Sequence, residues 1–202
     1  MKPAILAALE ELDETLHETH GPSAHPKPLY IIGGAAPMLL HSRKTLGHRV
    51  TDIDYLGDDM DPSVKAVVER VGMKHNLGRS FLNNDLGGDA LEHLEFCVGK
   101  LTFVRFATMK FFDVHVLSET DILKLKVYAL DTCIMSRRDD DHSEFERAQD
   151  YADIKDIAEK NGLSTEDIRD LTQNYTICQK EVYSSIEGYI INGHNRYVDD
   201  RL

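Results

Sequence analysis

Cysteine is scarce in this chain, and the few cysteines show no pattern of a metal site or of paired disulfides. The 202 residues contain Cys97, Cys133 and Cys178, none of which forms a C-x-x-C pair with another. The scattered histidines give no H-x-x-x-H pattern either. Zinc centres and disulfide frameworks usually show such spacings. The sequence therefore predicts buried free thiols rather than a zinc site or a disulfide-stabilised fold.

Long apolar runs and an excess of positive charge are also absent. No stretch approaches the roughly 20 apolar residues of a membrane helix, and Glu10 and Glu11 interrupt the opening segment where a signal peptide would stay apolar. We therefore expect a cytoplasmic protein with no membrane partner. The 23 Lys and Arg against 35 Asp and Glu give a formal net charge of −12, which argues against general binding to duplex DNA.

The composition is that of a folded protein, with 42% hydrophobic and 29% charged residues. We predict an α+β fold, in which residues 1–117 form a mixed sheet flanked by helices and residues 118–202 form a helical region packed on it. Hydrophobic spacing and turn residues place the elements of the first region. They are a helix at 3–17, a strand at 29–32, a helix at 35–41, a strand at 51–56, a helix at 62–73, a loop at 74–88 and a two-stranded hairpin at 101–117.

Three helices are predicted in the second region from their start signals. Ser118, Ser143 and Ser164 each precede an acidic residue by three positions, which is the Ser-x-x-acid form of a capping box. Apolar residues from Ile168 to Tyr189 keep helical spacing after the last of these signals. This pattern predicts a single final helix of about 22 residues, or ~33 Å.

The sharpest chemical feature is Asp52-Ile53-Asp54, which lies inside a predicted strand. Alternation places Asp52 and Asp54 on one face. Two carboxylates held about 4 to 6 Å apart near a surface repel by about 3 to 4 kcal/mol, so a strand that presents both needs a reason. A divalent cation is one such reason, because Mg²⁺ commonly takes one or two carboxylates and completes its shell with water and phosphate oxygens. The alternative is an edge strand whose acids face water.

A phosphate site is predicted beside this acidic pair. Gly33 and Gly34 end a strand and open a helix, and glycine lets a phosphate approach backbone N–H groups. Plain turn chemistry would give the same two glycines. A basic cluster, which could hold triphosphate oxygens by charge-assisted hydrogen bonds or simply form a solvated loop, lies between the glycines and the acids. It consists of His41, Arg43, Lys44, His48 and Arg49.

A third acid, Asp113, interrupts the apolar strand KFFDVHV and shares a face with His115. A buried carboxylate without a partner is costly, so Asp113 meets a cation or hydrogen-bond donors, or else lies on an exposed face. Three carboxylates on neighbouring strands would bind Mg²⁺, and one of them, Asp113, would act as the base for an attacking hydroxyl.

The segments GGAAPMLLH, HRVTDIDYL and FFDVHV together resemble the nucleotidyltransferase superfamily, which includes DNA polymerase beta and small antibiotic-modifying and toxin-antitoxin enzymes. That family has Gly-Gly or Gly-Ser at a strand-to-helix turn, then an acid-x-acid pair, then a third acid on a later strand. The helices DILKLKVYAL and DYADIKDI make the chain most similar to uncharacterised members of the abortive-infection type. In those members a lysine and a D-x-x-D-I motif recur, which match Lys126 and residues 150–154.

The resemblance implies that Gly33 and Gly34 contact nucleotide phosphates, and that Asp52, Asp54 and Asp113 bind Mg²⁺ or Mn²⁺. The implied reaction transfers a nucleoside monophosphate from a nucleoside triphosphate to a hydroxyl on a small molecule, a protein or an RNA. Lys126 would contact the nucleotide or acceptor, or would only form an ion pair with Asp150 between helices. The other function considered is a catalytically weak binding module, such as a toxin-antitoxin or regulatory component with a protein partner.

Overall fold

The chain divides into two compact units, Met1–Ser118 and Glu119–Leu202. The computed structural model describes residues 4–21, 26–41, 52–84, 89–136 and 141–192. Helices and one mixed five-stranded sheet make up these ranges, so the predicted α+β class is confirmed. None of the helices in the described ranges combines the length and the hydropathy of a membrane-spanning segment.

In the described ranges the first unit contains the sheet and four helices. Its predicted elements are present near their expected positions, and Pro62 lies in the first turn of the third helix, where proline is tolerated. In chain order the elements are α1 (Ala4–His20), β1 (Lys27–Ile32), α2 (Ala35–His41), β2 (Ile53–Leu56), α3 (Pro62–Lys74), β3 (Leu82–Asn83), α4 (Ala90–Val98), β4 (Phe103–Thr108) and β5 (Phe112–Leu117).

The strands form a sheet in the order β3-β2-β1-β5-β4, with β1 in the centre. β1 runs antiparallel to β2 and parallel to β5, while the hairpin β4–β5 is antiparallel. Paired residues of neighbouring strands direct their side chains to the same face. One face is apolar and buried, and its members include Leu29, Ile31, Ile53, Val114 and Val116.

A buried carboxylate connects α1 to the hairpin. Asp13 is 4% exposed, and its two oxygens accept hydrogen bonds of 2.8 to 2.9 Å from the backbone N–H groups of Lys110, Phe111 and Phe112. These donors lie at the β4–β5 turn and the start of β5, where they need acceptors once they are buried. Asp13 therefore fixes the turn that positions Asp113 on β5.

The second unit consists of four helices in the described ranges, α5 (Glu119–Ser136), α6 (Asp141–Asn161), α7 (Thr165–Thr172) and α8 (Gln179–Asn192). The predicted capping box at Ser164 is confirmed, since its hydroxyl accepts from the Asp167 N–H and the Asp167 carboxylate accepts from the Ser164 N–H. The second predicted start is displaced, because α6 begins at Asp141 rather than after Ser143. The side chain of Ser143 lies outside the described residues.

The prediction of a single long final helix was wrong. The segment from Gln173 to Cys178 separates α7 from α8. The buried Asp131 of α5 accepts hydrogen bonds from the Ile177 and Cys178 N–H groups at 2.9 and 2.7 Å. This carboxylate satisfies donors just before α8, so the break is stabilised by a contact from another helix. The spacing of apolar residues from Ile168 to Tyr189 gives no sign of that contact.

The predicted loop at 74–88 and the unassigned stretch after it also contain regular structure. Leu82 and Asn83 form β3, a two-residue parallel partner of β2, and Ala90–Val98 forms α4. A strand of two residues is too short to show alternation. In α4 only Ala90 and Val98 are buried, so its hydrophobic pattern is weak.

Candidate functional site

The turn between β1 and α2 adopts a conformation that suits glycine. Gly33 has φ +64°, in the left-handed region where side chains cause strain, and its carbonyl accepts a hydrogen bond from the Ala36 N–H at 3.3 Å. Gly34 has no positive φ, and a Cβ added to it would meet no atom within 4 Å. The two glycines therefore differ: the backbone conformation at position 33 favours glycine, whereas position 34 has room for a side chain.

Asp54 lies directly against this turn. It pairs with Ile32, the last residue of β1, and a Cβ added to Gly33 would lie 2.3 Å from Asp54 Oδ2 and 3.2 Å from Asp54 Cγ. Any side chain at position 33 would displace the carboxylate. The glycine turn and the second acid of the D-x-D pair therefore share one small region, as the sequence predicts.

Asp52 precedes β2 and is exposed, whereas Ile53 is fully buried and Asp54 is half-buried. This alternation assigns Asp52 and Asp54 to the face opposite Ile53. The structure thus places Gly33 and Asp54 together at the end of β1. Asp52 lies two residues before Asp54 in the sequence and is assigned to the same face. The side-chain donor atoms of Asp52 and Asp54 are all anionic carboxylate oxygens.

Asp113 does not join this group, which corrects the expectation that it is the third metal ligand. It pairs with Pro28 at the start of β1, while Asp54 pairs with Ile32 at the end. Those two partners are four positions apart along the strand, or about 13 Å at about 3.3 Å per residue. Within the described ranges, no three His, Cys, Asp or Glu side chains come close enough together to hold a metal ion.

Asp113 is instead neutralised by its neighbours on the sheet. Arg105 of β4 donates to both carboxylate oxygens at 2.9 and 2.7 Å, and Thr108 donates at 3.1 Å. His115 Nε2 lies 3.0 Å from Asp113 Oδ2. The Arg105 hydrogen bonds hold the pKa of the Asp113 carboxyl well below its usual range, with His115 and Thr108 acting in the same direction. A carboxylate held this strongly in its charged form is a poor base.

Arg105 and His115 are the residues of this face that sequence reasoning did not assign. Their signal is the hairpin register, which pairs Arg105 with His115 and brings both beside Asp113. A basic residue on the neighbouring strand offsets the free-energy cost of a partly buried acidic residue. The hairpin was predicted, but its register was not.

Lys126 lies in the second unit and forms an ion pair between helices, one of the two roles that the sequence left open. Its Nζ is 2.6 Å from Asp150 Oδ1 and 3.3 Å from Asp153 Oδ2. Lys126 is 16% exposed, and the Asp153 side chain is fully buried. The contact joins α5 to α6. A role for Lys126 in nucleotide binding stays a prediction.

Comparison of the chain with protein-family models, curated proteins and solved structures found no match. Arg43 and Arg49, predicted to bind phosphates, lie outside the described residues, as do Lys44 and His48 and the side chain of His41.

Proposed function

We propose that this protein is a Mg²⁺-dependent nucleotidyltransferase. The observation that carries the proposal is the approach of the Gly33 turn to the Asp54 carboxylate, within 2.3 Å of the place a Cβ would take. A turn that exposes backbone N–H groups next to a carboxylate pair is suited to a triphosphate that arrives with its metal ion. The resemblance of GGAAPMLLH and TDIDYL to nucleotidyltransferases agrees with this interpretation.

The residues present fit a magnesium ion. Mg²⁺ binds proteins through one or two carboxylates and keeps substrate phosphates and waters as its other ligands, so Asp52 and Asp54 suffice without a third acid. When bound, the ion neutralises phosphate charge and aligns the α-phosphate. Because Gly33 has no Cβ, the Asp54 carboxylate can lie beside the turn.

The proposed reaction forms a bond between the oxygen of an acceptor hydroxyl and the α-phosphorus, and it breaks the bond from that phosphorus to the leaving pyrophosphate. The proton of the hydroxyl is released to water. Asp52 and Asp54 would hold the Mg²⁺ ion, whose positive charge would offset the negative charge of the phosphates. The N–H groups of the Gly33-Gly34 turn would donate to phosphate oxygens. Alignment and electrostatic stabilisation would then provide most of the rate enhancement. The net charge of −12 favours a small molecule or a protein as the acceptor.

A binding module without turnover is the second candidate, and one observation favours it. The third carboxylate expected of the family is neutralised by Arg105 and is remote from Asp54 along the sheet. A protein that kept the phosphate turn but lost the full acidic set would bind a nucleotide and transfer it slowly or not at all.

Transfer of label from an α-labelled nucleoside triphosphate separates the two candidates. The full chain is incubated with Mg²⁺ and, in separate reactions, with RNA, a protein extract or a small-molecule extract. We expect label on one acceptor class, with no transfer when Mg²⁺ is omitted and a loss of about a hundredfold or more in Asp54→Asn. The matched control is Asp89→Asn, because Asp89 is exposed and its side chain makes no capping hydrogen bond. Nucleotide binding without label transfer to any acceptor would favour the binding module.

A further inference from the structure

Asn83 is the neighbour of Asp54 on the side away from the glycine turn. The sheet begins with the order β3-β2-β1, and the register pairs Asp54 with Asn83 on β3 and with Ile32 on β1. Neighbouring strands lie about 4.8 Å apart. Asp54 therefore has the Gly33 turn on one side and Asn83 on the other.

The side chains of Asp54 and Asn83 belong to the same face of the sheet. The register also pairs Ile53 with Leu82, and both of these residues are buried. Asp54 and Asn83 each come one residue later and are half-buried. Because successive residues of a strand point to opposite faces, Asn83 shares the face of Asp54, opposite the buried pair.

Hydrogen bonds on each side of Asn83 hold its short strand against β2. The Ile53 N–H donates to the Phe81 carbonyl at 2.6 Å, and the Asn84 side-chain amide donates to the Gly57 carbonyl at 2.7 Å. β3 has only two residues, so these flanking contacts fix its position. A side chain on a strand held in this way needs little further ordering when it binds a ligand.

The amide of Asn83 supplies an oxygen of the kind found in magnesium sites. Its Nδ2 donates to the Ser80 carbonyl at 3.4 Å, which turns the amide oxygen away from Ser80. Carbonyl oxygens are hard, neutral ligands that accompany carboxylates in sites for Mg²⁺ and Mn²⁺. A neutral third ligand adds no charge repulsion to the Asp52 and Asp54 carboxylates.

We propose that Asn83 Oδ1 is the third protein ligand of the metal ion that Asp52 and Asp54 bind. It takes the part expected of Asp113, which Arg105 neutralises on the other side of β1. The inference rests on the proposed function, because it needs the ion at Asp54. It assigns the ion to the β3 side of Asp54, so that the triphosphate extends from there across Asp54 to the Gly33 turn.

Binding of Mn²⁺ to the full chain tests the proposal, with water-proton relaxation as the measure of ions held by the protein. We expect Asp54→Asn to lose the ion and Asn83→Leu to bind it about tenfold more weakly, the scale of changes around metal ligands. Asn83→Asp should bind Mn²⁺ more tightly than the wild type, because a charged ligand replaces a neutral one. Loss of structure cannot produce that gain.

Ser80→Ala is the matched control, because Ser80 is exposed and the variant keeps the backbone carbonyl that accepts from Asn83. It should bind Mn²⁺ as the wild type does. Anomalous diffraction from a crystal soaked in Mn²⁺ should show Asn83 Oδ1 among the ligands of the ion.

Two results would overturn the inference and leave the proposed function intact. One is equal Mn²⁺ affinity of Asn83→Leu and the wild type while Asp54→Asn loses the ion. The other is an ion bound by Asp54 in the crystal without Asn83 Oδ1 as a ligand. If the wild type binds no Mn²⁺, either alone or with an α,β-methylene nucleoside triphosphate, the metal site of the proposed function is itself rejected.

Discussion

Single residues decide whether the turn after β1 can lie beside Asp54. Position 33 combines a positive φ with a contact that leaves no room for a side chain, whereas position 34 has neither constraint. The sequence shows two adjacent glycines and cannot distinguish them. The distinction depends on the antiparallel pairing of β1 with β2, which brings Asp54 to the end of β1.

Gly33→Ala should therefore destabilise the first unit, and Gly34→Ala should not. The left-handed conformation alone costs an alanine about 1 to 2 kcal/mol, and the displaced Asp54 carboxylate adds to that cost. Urea denaturation of the two variants measures the difference in the free energy of unfolding. Equal stability of Gly33→Ala and Gly34→Ala would mean that the turn does not hold this conformation in solution.

At the scale of elements, hydrophobic spacing predicted β1, β2, β5 and the helices that flank them, because their apolar positions repeat with the period of the structure they form. It failed where a contact from elsewhere decides the outcome. Asp131 stabilises the break before α8, and the strand register of Arg105 determines the partner of Asp113. The D-x-D pair and the glycines are each visible as local motifs, and the resemblance to nucleotidyltransferases predicted their proximity, which the pairing of β1 with β2 produces.

The ion pair between α5 and α6 gives an element-scale prediction. Lys126→Met leaves the Asp150 and Asp153 carboxylates without their lysine in a largely buried site, and removal of one partner from such a site costs about 3 to 5 kcal/mol. Lys65→Met is the control, because Lys65 and Asp59 are both exposed and 3.8 Å apart, a pair worth less than about 1 kcal/mol. Chemical denaturation should show a loss for the first variant only. An unchanged midpoint for Lys126→Met would favour a role in ligand binding over helix packing.

At the scale of the whole molecule, several carboxyls are held in their charged form. The pKa of Glu11 is lowered chiefly by a hydrogen bond from Lys74, that of Asp61 by Ser63, and that of Asp167 by Ser164. The pKa of Asp113 is lowered most clearly, by Arg105. A carboxyl whose pKa is lower in the folded state stabilises the fold above its ordinary pKa and loses that contribution as the pH falls.

The free energy of unfolding should therefore fall as the pH is lowered below about 4, since the ordinary pKa of an aspartic acid is 3.8. Asp113→Asn should make this decline shallower because one of the titrating groups is removed. Arg105→Met should have the same effect on the slope, since it removes the main cause of the lowered pKa. Denaturation curves recorded from pH 6 to pH 2 check both variants. A slope identical to that of the wild type in both would contradict the bidentate pair.

The most direct test of the central claim is a crystal structure of the full chain soaked with a nonhydrolysable nucleoside triphosphate and Mg²⁺. We expect a metal ion bound by Asp52 and Asp54, with the phosphates against the Gly33-Gly34 turn. A triphosphate bound elsewhere, or a metal ion that contacts neither of those two carboxylates, would contradict it.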